Sequence, residues 1–171
     1  MKKIWQLYPT LPSGLAEATG LPSVLAQILY NRKITDVEQV RQLLDQEASD
    51  LHDPLLLPDM VSAIDRLEEA IDLGQTIGVF GDFDVDGVTA TTLLAWGLAD
   101  LGAKVAPYIP HRVSEGHGLN KEAIQALKAS GVSLLVTVDC GVTSHQEVEL
   151  AADLGMDVII TDHHTPSSRL P

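Results

Sequence analysis

Apolar positions change their rhythm near residue 75. Before it they recur at helical spacing: Val24, Leu25, Ile28 and Leu29 mark a helix over Pro22 to Asn31. Val37, Val40, Leu43 and Leu44 mark a second, capped by Thr35 or Asp36. Asp53-Pro54 breaks the chain, and Val61, Ile64, Leu67 and Ile71 give one apolar face to a longer helix from Pro58 to Leu73 that Gly74 stops. No run in this half reads as a buried strand. Residues 1–75 are predicted to form a small helical subdomain.

From Gln75 the pattern alternates. Thr76–Phe80, Lys104–Ile109, Ser133–Val138 and Asp157–Thr161 are short apolar runs that predict strands. Between them lie helical patterns over Thr89–Leu101, Asn120–Ser130 and Thr143–Leu154, each followed by a glycine. Continuous rather than alternating apolar strands imply a sheet covered on both faces. The predicted class is α/β: a parallel, Rossmann-like sheet wound by helices over residues 76–171. The chain stops at Pro171 without a closing helix, which predicts a domain truncated at its C-terminal end within a longer protein.

Composition narrows the class. At 171 residues, 45% hydrophobic and 20% charged, the chain suits one well-cored domain with a smaller appendage. No apolar stretch is long enough to cross a bilayer, and Met1-Lys2-Lys3-Ile4-Trp5 does not lead into a secretory signal. The lone Cys140 excludes an internal disulfide and suits a reducing cytoplasm. Eleven basic against 24 acidic residues, a net charge of −13, argue against this segment gripping a phosphate backbone by itself, since such binding normally comes with a basic face. Any nucleic-acid substrate then needs positive charge from metal ions or from other parts of the protein.

The chemistry-bearing residues sit at strand ends. Asp82, Asp84 and Asp86 follow the first strand in Gly81-Asp82-Phe83-Asp84-Val85-Asp86-Gly87; Asp139 ends the third; Asp162-His163-His164 follow the fourth. In a parallel sheet these positions share the carboxyl edge, where ligands bind. Crowded carboxylates repel unless a cation sits among them, and carboxylates with imidazoles suit Mn2+ or Mg2+ better than a closed zinc site. Four or more acids are better balanced by two ions than by one.

Plainer readings compete at each position. Asp86 suits a helix N-cap, Asp139 a turn, and His52, His111 and His145 ordinary surface or core roles. Three metal-competent side chains in a row at Asp162-His163-His164 are rarely needed for packing. The stretch Phe83 to Val88 also resembles the first motif of haloacid-dehalogenase phosphatases, with Asp84 as nucleophile. That family needs a downstream lysine after a strand, whereas Lys121 and Lys128 fall on a predicted helix. A third reading is a catalytically inert docking module.

Gly81 to Gly87, Asp139-Cys140-Gly141 and Asp162-His163-His164 together resemble the first three motifs of the DHH phosphoesterase superfamily. Tyr108-Ile109-Pro110-His111-Arg112 and Glu115-Gly116-His117-Gly118-Leu119 are similar to its RecJ branch, which commonly has an aromatic residue where this chain has His117. The resemblance covers essentially the whole chain. It implies a 5′-to-3′ exonuclease on single-stranded DNA that serves recombination and repair with Mn2+ or Mg2+. By motif position Asp84, Asp86, Asp139 and His163 are metal ligands, and Asp82 supports or joins them. His164 stands by the scissile phosphate, oriented by Asp162. Arg112 and His111 are candidate phosphate contacts, and Cys140 is a packing residue of the turn. The resemblance also implies a further Asp ligand and further domains beyond residue 171.

Overall fold

The computed structural model describes residue 4, residues 6–44 and residues 51–171, so most of the opening Met1 to Trp5 lies outside the described residues. The chain divides into two compact units, Met1–Leu56 and Leu57–Pro171. In the first, α1 (Leu15–Thr19) packs on α2 (Ser23–Asn31) and α3 (Val37–Leu44), and one 3-10 turn follows at Pro54–Leu56. Helix α1 was not expected, because five residues between two glycines are too few to show a period. Asp36 caps α3: its Oδ1 accepts from Gln39 N at 2.9 Å, while Gln39 Oε1 accepts from Thr35 N at 2.9 Å.

The second unit starts earlier than the expected 75/76 boundary. It takes in α4 (Met60–Asp72), because Leu67, Ala70 and Ile71 pack with Ile77, Val79 and Leu134. The strands β1 (Thr76–Gly81), β2 (Lys104–Tyr108), β3 (Val132–Val138) and β4 (Asp157–Thr161) form one all-parallel sheet in the order β2-β1-β3-β4. Between them run α5 (Val85–Asp100), α6 (Lys121–Ala129) and α7 (His145–Asp153). The parallel α/β class read from the pattern is the one observed.

Strand side chains alternate faces and build two cores. Ile77, Val79, Leu134, Val136 and Val138 join Leu98 of α5 and Ala70 of α4 on one side. Phe80, Val132 and Leu135 join Ile124 and Leu127 of α6 and Ala151 of α7 on the other. Fully burying a side chain such as Phe80 or Ile77 contributes about 1.5–3 kcal/mol. Among the described residues no helix is long and apolar enough to cross a membrane.

This arrangement decides where a site can form. β1 and β3 are neighbours, yet α5 leaves β1 for one face and α7 leaves β3 for the other. The crevice between their departing loops is the topological switch point where α/β sheets bind ligands. Register aligns the strand ends, since Gly81 pairs with Val138 and Val138 with Thr161. Asp82, Asp139 and Asp162 are therefore the next residues of three level strands.

Candidate metal centre

The loop after β1 is short because α5 begins at Val85 rather than at the expected Thr89. Asp84, not Asp86, is its N-cap, with Oδ1 accepting from Gly87 N at 3.0 Å. That hydrogen bond holds the Asp84 carboxyl below its ordinary range. Asp86 lies exposed in the first helical turn. No side chain replaces the hydrogen at Gly87: a Cβ there would drive into the Asp82 backbone. Asp82 is buried, and both its oxygens are occupied, one by Phe83 N at 2.6 Å and the other by His117 Nδ1 at 3.0 Å.

Asp139 leaves β3 in the left-handed region, at φ 61°. For a residue with a Cβ that costs about 1–2 kcal/mol, and such strain collects at functional sites. Its turn is braced by Asp139 N donating to Thr161 O at 2.9 Å and Thr137 Oγ1 donating to Cys140 O at 2.8 Å. Gly141, at φ 112°, fits where a Cβ would press on Thr137 Oγ1. Burial pushes the Asp139 carboxyl up, the charge of Asp84 adds to this, and His163 Nε2 at 2.8 Å opposes it. Asp84 and Asp139 each bear on the other's charge. Two carboxylates so close, one buried, are the environment a cation relieves.

The loop after β4 is organised by Asp162. Its Oδ1 accepts from His164 N at 3.0 Å and pairs with His164 Nδ1 at 2.7 Å, and its Oδ2 accepts from Val142 N at 3.0 Å. Burial works against the Asp162 charge, yet these bonds together keep its carboxyl below the ordinary range. The Asp162 hydrogen bond raises His164 in turn. The His163 and His164 rings sit 4.4 Å apart. Ligand atoms of Asp139, His163 and His164 all lie within 4.8 Å of one another, a group that one ion can bridge. His164, expected beside the phosphate, is thus a member of the ion-sized group.

Burial pushes the Cys140 thiol up to about 12, which rules it out as a thiolate nucleophile at neutral pH. Tyr108 OH donates to Glu115 Oε1 at 2.6 Å, and His111 N donates to Glu115 Oε2 at 2.7 Å. His111 Nδ1 is engaged within this turn by Ser114 at 2.9 Å. Arg112 lies with its guanidinium 4.9 Å from the centre of the Phe83 ring. His117 was noted in the sequence only as a departure, yet it binds Asp82 and lies 4.2 Å from Phe83. No local signal could have found that contact, because its partners stand 35 residues apart.

Asp82, His117, Asp139, Cys140, Asp162 and His164 line one open cleft of about 370 Å³. Lys121 and Lys128 lie on α6 rather than after a strand, as the pattern indicated, so the phosphatase reading of Asp84 is not favoured. The cleft offers an ion acidic and imidazole donors, and little positive charge for a bare phosphate.

Residues 76–171 match the DHH family, N-terminal domain. With that fold and this edge of acids and imidazoles, the chain belongs to the DHH family. It is 40% identical over 158 residues to the single-stranded-DNA-specific exonuclease RecJ of Bacillus subtilis, across 92% of this chain and 20% of that protein. To the RecJ of Thermus thermophilus it is 48% identical over 126 residues, across 71% of this chain and 19% of that protein. The solved structure of Thermus thermophilus RecJ in complex with Mn2+ is similar at a TM-score of 0.68 and 33% identity, across 95% of this chain and 23% of that one. The chain spans about a fifth of the length of these curated relatives.

Proposed function

We propose that this chain is the N-terminal catalytic portion of a metal-dependent exonuclease of RecJ type, which hydrolyses phosphodiester bonds of single-stranded DNA from the 5′ end in the cytoplasm. The observation that carries the reading is the meeting of Asp139, His163 and His164 at the switch point of a DHH-family sheet, with the Asp84 carboxylate electrostatically coupled to Asp139. Asp84, Asp86, Asp139 and His163 would hold divalent ions, Mn2+ or Mg2+. Bound there, such ions supply Lewis acidity that activates water and balances charge on the phosphate.

The chain's own residues do the rest. Asp162 fixes the ring of His164, whose raised basicity suits it to hold a proton near the scissile phosphate. Asp82 shapes the acidic loop rather than ligating, since both its oxygens are engaged. Arg112 is the exposed cation placed to meet a DNA phosphate, whereas His111 is occupied in its own turn. A net charge of −13 makes the metal the main attraction for DNA.

Calorimetry of this chain tests the ligand set: Mn2+ uptake by the wild type and its loss in Asp139→Ala is the expected result. Uptake unaltered by that change would remove Asp139 from the site. Replacing the matching segment of the Bacillus subtilis relative with this one should preserve Mn2+-dependent release of nucleotides from single-stranded DNA. A beryllofluoride-trapped aspartyl adduct at Asp84 would instead restore the phosphatase reading.

A further inference from the structure

We propose that His117 is the positioning residue that clamps the β2–α6 loop, and Arg112 with it, onto the acidic loop after β1. This inference rests on the phosphodiester reading for its consequence, but not for its geometry.

The loop of residues 109–119 is mostly braced to itself. Glu115 accepts from Tyr108 OH and His111 N, and Glu115 N donates to His111 O at 2.9 Å. None of these bonds reaches the acidic loop. Among the described residues, the sole hydrogen bond from residues 109–119 to residues 81–87 is His117 Nδ1 to Asp82 Oδ2, at 3.0 Å. It anchors an exposed ring, with 70% of the side chain accessible, on a carboxylate that is only 10% accessible. A carboxylate accepts only, so Nδ1 carries the proton and donates whether the ring is neutral or charged.

The same two loops also meet at Phe83. Its ring lies 4.2 Å from that of His117, tilted by 44°, and 4.9 Å from the Arg112 guanidinium. A cation over an aromatic face is weakly held when exposed. Arg112 therefore keeps its place only while the loop that carries it stays down. His117 acts on substrate through Asp82, Phe83 and Arg112, touching no reacting atom.

Three variants separate the contacts. His117→Asn keeps a donor near the Nδ1 position, His117→Phe keeps the ring, and His117→Ala keeps neither. Hydrogen exchange of the 109–118 amides should quicken in Ala and Phe and stay near wild type in Asn. Exchange unchanged in His117→Ala overturns the clamp, whatever the chain does with DNA. The second measurement is affinity for a single-stranded oligothymidylate in Mn2+. His117→Ala should weaken it about tenfold, the size of one hydrogen bond to a charged group. Arg112→Ala should then cost little more in the His117→Ala background, a non-additive cycle. Additive losses would show that His117 does not place Arg112. A wild type that binds no oligothymidylate in Mn2+ would sink the nuclease reading of this chain, while the exchange data would still decide the clamp.

Discussion

The mouths of β1 and β4 use one device at two ranges. Each begins with an aspartate, Asp82 or Asp162, whose carboxylate is almost inaccessible, accepts a backbone N–H and pairs with a histidine Nδ1. At β4 the histidine is His164, two residues on, and the pair also ties down Val142 of the neighbouring loop. At β1 it is His117, brought from the far end of the β2–α6 connection. The acids at Asp84 and Asp139 play another part: each has one oxygen engaged, by Gly87 N and by His163 Nε2, and each bears on the other's charge. One class of side chain thus closes both oxygens on protein partners at Asp82 and Asp162 and keeps one oxygen without a protein hydrogen bond at Asp84 and Asp139.

The strongest test of this contrast removes Asp162 and Asp82 in turn. Asp162→Ala should weaken Mn2+ binding by about 10–100-fold, the usual effect of losing a group that orients a ligand. Asp82→Ala should cost Mn2+ affinity much less, because its histidine lies outside the ion-sized group. Equal losses by calorimetry would erase the distinction.

Gly87→Ala comes next. A Cβ there meets the Asp82 backbone, so overpacking should destabilise the fold by about 1–3 kcal/mol in urea unfolding. The β4 mouth has no such close approach to break.

The pH response distinguishes the two ends of the Asp162–His164 pair. His164 is raised by its partner, so its stabilising contribution is complete below about 6.5 and is lost as pH rises through the folded value. Asp162 is lowered overall, so its contribution holds above the ordinary carboxylate range and is lost as pH falls through the folded value. The link is therefore strongest in the mildly acidic window between. NMR of His164 should show a midpoint above the ordinary one, returning toward it in Asp162→Asn.

The smallest effect belongs to the outer brace of the β1 side. The Glu115 hydrogen bond pushes Tyr108 up to about 12, so that its share of stability persists below about 10 and fades only as pH approaches 12. Glu115→Gln should lower the Tyr108 midpoint in a difference absorbance titration against Tyr108→Phe.

Much of this was legible because strands and helices carry their own periods. β4 was read to the residue from its apolar run, and the acids at the strand ends followed from a parallel sheet. Helix α5 was read too short, because Val85 and Asp86 look like loop until Asp84 is seen to cap them. Helix α4 was grouped with the wrong half, because a helix's apolar face does not say what it packs on.

What the sequence determined by itself was the kind of chemistry: acids and imidazoles after apolar strands, with too few cations to bind phosphate unaided. Those are local properties, set by residue type and spacing. Which acids would have both oxygens filled and which only one was decided by tertiary structure. Strand order made β1 and β3 neighbours and brought His117 to Asp82. Hydrogen-bond partners from distant loops, not the carboxylates themselves, determine which oxygens remain for an ion.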